Sequence, residues 1–521
     1  MVSRSIRSIA LDAAILFSWL ICVGLVALHE RGGWWKGRGH PLTSLGATLD
    51  AKEQWFGIYY HGQRIGFSEM TMTPDERNGI PGVSVTDRGR LVFNLLGAPQ
   101  QLEVFARAFI DADWRLQTFT AEIRAAAYRL KWVGERHGDV LRLVVSTPGN
   151  TVTKWVRDPT GGAFVNGLSS WAAFHRLRVG QSGKAWVLNP LALSPEAVYF
   201  VVRRTDMIDG QEALVVETDV SGMTSTSWVT REGDVLKELS PLGWELRHET
   251  REYALAHTAS TTPTLDLLST AAVPLDQPLD DVAALTELTL LVEGVGAERL
   301  TVQRPWQQVL PAERLQQYRR AAPEGPWCLL QMTRPVRPDT PASVPERVAA
   351  YQHASLFVQS DDPRIRAKAA KIIGSRTDPW DRVQALHRWV FSTMTKRLTV
   401  GLPSAVDVLQ TPIGDCHEHT VLFTALARSV GLPTRMIAGL VYMQGQFYYH
   451  AWPEVWIGQW IPTDPTLGQL VADLTHIALV EAENEQLISL GQFVGKMRLH
   501  VLDTHAAAPP ASRSAAGDAV P

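Results

Sequence analysis

Gly414-Asp415-Cys416-His417-Glu418-His419-Thr420 opens the stretch that decides the fold. Tyr448-Tyr449-His450-Ala451-Trp452-Pro453-Glu454-Val455-Trp456 and Trp460-Ile461-Pro462-Thr463-Asp464-Pro465-Thr466 complete it. Asp415 suits a helix N-cap, and Val421, Leu422, Ala425, Leu426 and Val430 recur at helical spacing behind it. Gly431 and Pro433 then read as a stop. Cys416 therefore falls in the first turn of a helix of about four turns. A helix N-terminus carries partial positive charge and unpaired N–H groups, which favour thiolate over thiol and suit a developing oxyanion.

After that helix the period changes. Residues 434–443, 447–457 and 460–463 read as three antiparallel strands joined by Gln444-Gly445-Gln446 and Gly458-Gln459 turns. Such a meander puts His450 and Asp464 on neighbouring strands, where facing side chains approach within about 5 Å. A sheet of this kind packed on the helix brings together a nucleophile, Cys416, a base, His450, and an orienting carboxylate, Asp464.

These three motifs, in this order, resemble the transglutaminase-like superfamily in its bacterial branch, over roughly Leu356–Val480. The resemblance implies a papain-like fold, a Cys416–His450–Asp464 catalytic triad and acyl transfer through a thioester, with no metal or organic cofactor. It leaves open whether water or an amine takes the acyl group, and it extends to inactive relatives.

The rest of the chain sets the context. At 521 residues, two or three domains are expected. A net charge of −3 without a basic block argues against a nucleic-acid partner. Three cysteines make no disulfide framework; Cys22 lies in an apolar stretch and Cys328 reads as a small buried residue.

That apolar stretch, Ile9 to Leu28, has Asp12 as its only charge and is long enough to span a bilayer. Residues 1–36 therefore read as an uncleaved transmembrane signal anchor, with Trp34, Trp35, Lys36 and Arg38 at the interface. Arg4 and Arg7 before the span against Arg31, Lys36 and Arg38 after it would put the bulk inside by basic count alone. A short tail before a single span favours export instead. The expectation is a single-pass protein of the inner (cytoplasmic) membrane, its bulk periplasmic, with the bilayer as one partner and a protein or peptide of the cell envelope as substrate.

Residues 52–256 have β texture. His61-Gly62, Gly138-Asp139, Asp209-Gly210 and Gly233-Asp234 turns punctuate short alternating segments, which predicts a large, curved antiparallel sheet. Its role is scaffold, recognition surface or small-molecule pocket. Residues 257–350 read as a connector with short strands, and 351–502 as the catalytic domain. Asp362-Pro363 and Asp378-Pro379 each start a helix there, the second with a Val383, Leu386, Trp389, Val390 stripe. Residues 503–521 read as a disordered tail. The fold class is thus α+β: a papain-like transglutaminase core preceded by a large antiparallel β domain and an N-terminal transmembrane helix.

Other readings of the same residues are blander. Cys416, His417, His419, His450 and His476 invite a metal site, but the Cys-His-Glu-His spacing puts neighbours on different helix faces. Glu418 has two uses open to it, a bond to a backbone N–H at the helix start or a contact with substrate. Trp389 is a core residue or an indole donor to the oxyanion. Trp452, Trp456 and Trp460 form an aromatic set around the His450 strand. A catalytically idle, membrane-anchored binding or assembly protein that works through the β domain is the alternative to an enzyme.

Overall fold

The computed structural model describes residues 51–507 apart from short stretches, the longest at 158–176, 258–265, 338–343, 398–403 and 484–489. The expected membrane anchor and the end of the expected tail lie outside the described residues. Among the described residues no helix is long and apolar enough to cross a membrane.

Residues 52–249 form a 14-stranded antiparallel sheet. Strands adjacent in sequence pair, except Thr151–Arg157 and Ser182–Asn189, and the first, Lys52–Tyr60, also pairs with the last, Trp244–Glu249. The two edges are therefore Thr151–Arg157 and Ser182–Asn189, from the middle of the segment. Period-two patterning builds it. In Ile80–Leu95, Val83, Val85, Leu91 and Phe93 are buried while Arg88 and Arg90 between them are exposed. His61-Gly62 and Asp209-Gly210 both take positive φ, as a two-residue hairpin turn with the sheet's own twist requires.

Within 257–350, expected as a connector with short strands, the strands belong to a second sheet. Leu285–Glu293, Gln307–Leu310 and Trp327–Thr333 join the C-terminal strand Arg498–Ala506 in a four-stranded sheet. Leu285–Glu293 pairs on one side with Trp327–Thr333 and on the other with Arg498–Ala506. Its C-terminal partner lies far along the chain, so the pairing itself is not a local signal. The last strand also runs into the stretch expected as tail. Val85, Phe93 and Trp132 of the large sheet share one continuous core with Leu290, Val292 and Leu330 of this one and with Val421 and Phe447 beyond it.

The helices of the third unit start where the sequence places them. Asp362 and Asp378 cap Pro363–Ile373 and Pro379–Thr393, each with Pro inside the first turn. Ala405–Gln410 is an additional short helix with a Ser404/Asp407 capping box. Its Asp407 Oδ1 also accepts the Gly149 N–H at 2.5 Å, so a turn of the large sheet is latched to this helix. The next helix, Cys416–Ser429, packs on Thr434–Met443 and Gln446–Trp456. These two strands sit between Trp460–Pro462 and Ile477–Glu481 in a four-stranded sheet. Gly439 faces His450 across the register; a Cβ there would lie 2.0 Å from the Ile477 carbonyl oxygen and 2.8 Å from the Trp452 ring, so only glycine lets these strands close.

Candidate active site

The site begins at the Cys416 helix. A short parallel bridge, Thr395–Lys396 with Ile413–Gly414, delivers the chain to it. Asp415 is the N-cap and makes a reciprocal capping box with Glu418, whose Oε2 accepts the Asp415 N–H at 2.9 Å. This assigns Glu418 to the helix start. It also explains Gly414, where a Cβ would lie 2.3 Å from the Glu418 side chain. The box occupies the N–H groups of Asp415, His417 and Glu418.

Cys416, His450 and Asp464 are all fully buried. His450 Nε2 lies 2.7 Å from Asp464 Oδ2. Its other nitrogen, Nδ1, is buried and without a hydrogen-bond partner. The Cys416 helix packs on the His450 strand. The strand pairing expected between His450 and Asp464 is realised slightly differently. Asp464 sits just past Trp460–Pro462, in a turn closed by reciprocal backbone bonds with Gln469 at 2.8 and 2.9 Å.

Asp464 is held from every side. Oδ1 accepts the Thr466 and Leu467 N–H groups at 2.7 and 3.0 Å. The backbone carbonyl lies 3.1 Å from His387 Nε2. Oδ2 takes a second imidazole, His476 Nε2, at 3.2 Å. Burial works to raise this carboxyl, but the attraction and hydrogen bonds of His450 and His476 outweigh it and hold it well below the usual carboxylate range.

His387 is a site residue that sequence reading passed over, and His476 was weighed there only as a metal ligand. His387 had a signal: with Val383, Leu386 and Val390 it completes the buried stripe of its helix. His476 lies in an irregular segment and had none. Its Nδ1 faces Asp473 Oδ1 and the Asp473 carbonyl, each at 3.2 Å. Both ring nitrogens thus meet acceptors only, which requires an imidazolium. Burial opposes that charge, but Asp473 and Asp464 overcome it and raise His476 to about 10.

The His450, Asp464 and His476 ligand atoms lie within 4.8 Å of one another. The shared carboxylate oxygen already accepts from both imidazoles, so the trio is a hydrogen-bonded unit with no lone pair on His476 to offer a metal. Among the aromatic residues, Trp452 alone of its set touches the imidazoles: it stacks on His450 at 6.1 Å and stands edge-on to His476 at 5.1 Å. Trp456 and Trp460 pack on each other, and Trp460 carries the Arg435 guanidinium at 4.0 Å. Trp389 faces Lys368, 5.3 Å away on the preceding helix, and belongs to the packing. Cys328 is buried and pushed up to about 12, an inert thiol.

His417 and His419 are buried, and burial lowers both to about 4. Their folded pKa lies below the unfolded value near 6.5, so each keeps its stabilising contribution above about pH 6.5 and loses it as pH falls toward 4. Asp87 and Glu238 in the large sheet, bonded to Ser68 and Ser227, are pushed up to about 7 by burial and act in the opposite sense. The parent minus His417→Leu difference isolates the histidine. Relative to this variant the parent is expected to lose roughly 2 kcal/mol of stability between pH 7 and pH 4.5, read from urea midpoints. A pH-independent difference would count against a neutral, buried His417.

Residues 366–465 match the model of the transglutaminase-like superfamily. Among curated proteins none matches the chain. Of solved structures, a candidate cysteine protease from Cytophaga hutchinsonii is 17% identical, covers 43% of this chain and 89% of its own, and superposes with a TM-score of 0.28. A beta-barrel-like protein of a domain of unknown function from Brucella abortus is 11% identical, over 38% of this chain and 94% of its own, at 0.30. A candidate protease from Parabacteroides distasonis is 8% identical, over 63% and 70%, at 0.19. TM-scores this low do not establish a shared overall arrangement.

Proposed function

We propose that the transglutaminase-like domain at residues 366–465 is a cysteine-dependent acyl-transfer centre acting on peptide or carboxamide bonds. One observation carries the reading. His450 gives Nε2 to Asp464 and keeps Nδ1 buried and unpartnered, beside the helix whose first residue is Cys416. In the proposed reaction Nδ1 takes the thiol proton and Sγ attacks the carbonyl carbon. The same proton passes to the leaving amine as the C–N bond breaks, which leaves a thioester on Cys416. Water or a second amine, deprotonated by Nδ1, then attacks the thioester, and the proton returns to sulfur. Asp464 holds the ring and stabilises the imidazolium. The sulfur is enclosed in the free chain, so an extended substrate needs local opening to reach it.

The apolar stretch Ile9 to Leu28 supports the rest of the proposal: a single anchor in the inner membrane, a periplasmic bulk, and proteins or peptides of the cell envelope as substrates. The test is alkylation of the full chain by iodoacetamide, a reagent small enough for an enclosed thiol, followed by peptide mass spectrometry. Cys416 is expected to react at neutral pH faster than a thiol in free solution, and His450→Ala to slow it about 10²-fold or more. Cys328 is expected to stay unmodified. A Cys416 no faster than a free thiol would favour an idle binding protein. Incubation with a glutamine peptide, with and without an amine donor, separates cross-linking from hydrolysis.

A further inference from the structure

We propose that His476, clamped by Asp473, is a positioning residue that sets the pH range in which His450 can carry the Cys416 proton. The inference rests on the triad reading above and adds a second, charged imidazole behind it.

The geometry is a row: Asp473, His476, Asp464, His450. Asp473 is a built anchor. It accepts from Gln469 Nε2 at 2.8 Å, from the Thr475 N–H at 2.9 Å and from Thr475 Oγ1 at 2.6 Å, besides facing His476. Gln469 in turn closes the Asp464 turn through its backbone. Displacing His476 would therefore disturb the carboxylate that His450 leans on. The charge matters as much as the shape. A lone carboxylate bonded to His450 would favour its imidazolium and make it a poor base. The His476 cation shares the same oxygen, its ring centre 5.9 Å from that of His450, and subtracts from that pull.

The other groups around the pair do not substitute for it. The Cys416 helix, which packs on the His450 strand, carries His419. His419 is lowered to about 4 by burial and is neutral in the working range. His387, from Pro379–Thr393, bonds the Asp464 carbonyl and is also lowered by burial. Lys396, on Thr395–Lys396, feels Asp464 but packs over the Phe391 ring at 3.9 Å. That leaves His476 as the cation bonded directly to Asp464. A unit charge about 6 Å away, at an effective permittivity of about 20, moves a partner's titration by roughly one to two pH units.

The test follows the pH dependence of Cys416 modification in the full chain by iodoacetate. This anionic reagent slows as the imidazolium beside the sulfur loses its proton. Removing the His476 charge stabilises the His450 cation, so in His476→Gln the alkaline limb is expected to move up by roughly one to two pH units. Asp473→Asn removes the anion that keeps His476 charged and is expected to move the limb the same way by less. Nitrogen-15 spectra of the histidine-labelled chain are expected to show one ring with both nitrogens protonated above pH 8, absent from His476→Gln. Where that variant does not fold, Asp473→Asn and the parent spectra decide. A reactive thiol whose limb stays within a few tenths of a unit in the variants, or a His476 already neutral at pH 8, overturns this inference alone. A thiol inert at every pH overturns the triad reading, and this inference falls with it.

Discussion

Replacing Asp464 by alanine is expected to cost 3–5 kcal/mol of stability, on the order of a broken buried ion pair, and to slow Cys416 alkylation by up to about 10²-fold. The carboxylate accepts four hydrogen bonds, from His450, His476, Thr466 and Leu467. Alanine leaves a buried imidazolium at His476 with one carboxylate instead of two, and frees the His450 ring to turn. Asp464→Asn separates shape from charge. Its oxygen can serve the two imidazoles or the two turn N–H groups, while its NH₂ opposes whichever donors remain. An intermediate loss in both measurements is expected. Urea unfolding and iodoacetamide rates at pH 7 read the two effects. An Asp464→Ala chain that folds and reacts at the parent's rate would refute the orienting role.

Glu454→Ala is expected to be nearly as damaging without touching the reacting atoms. Glu454 lies on the His450 strand, fully buried, and its carboxylate accepts Arg304 Nε at 2.8 Å and Arg435 Nε at 2.8 Å. Burial works to lower the Arg304 guanidinium, and the Glu454 charge opposes it. Removing the anion takes away the carboxylate that the two buried guanidinium groups share, while Glu481 bonds Arg435 at 3.0 Å. A loss of 3–5 kcal/mol is expected, a fall in melting temperature on the order of 10 °C. Combining Glu454→Leu with Arg304→Met and Arg435→Met should recover much of it, because an apolar trio of similar volume needs no counter-charge. A single variant that melts within 2–3 °C of the parent (about 1 kcal/mol) would mean that water already screens the cluster.

Why the sequence revealed some of this and not the rest is a matter of range. The Cys416 helix, its N-cap and its Gly431 stop are local, set by residues within one turn of each other, and the structure has them at Cys416–Ser429 with Gly431 at positive φ. The strands at 434–443 and 446–456 announced themselves by β-branched and aromatic runs. The large antiparallel sheet was legible from its turns, because each hairpin is a local event. The helix Ala405–Gln410 was missed although Ser404 and Asp407 spell a capping box; it is short and its apolar stripe is brief. His476 was weighed only as a metal ligand. Its value depends on Asp473 and Asp464 closing around it, and no periodicity reports that. Short strands were legible before the catalytic domain, but the pairing of Leu285–Glu293 with Arg498–Ala506 at the far end of the chain was not.

That last pairing has a practical bearing. Leu290 lies beside Leu330 on one side and Val501 on the other, so segments before and after the matched domain are knitted into a single belt. A gene fragment that began after Trp327–Thr333 but kept the C-terminal strand would bare Leu499 and Val501 as a greasy, unpaired edge, an invitation to clump. Anyone wishing to transplant the cysteine centre into another protein should carry 285–506 as one piece.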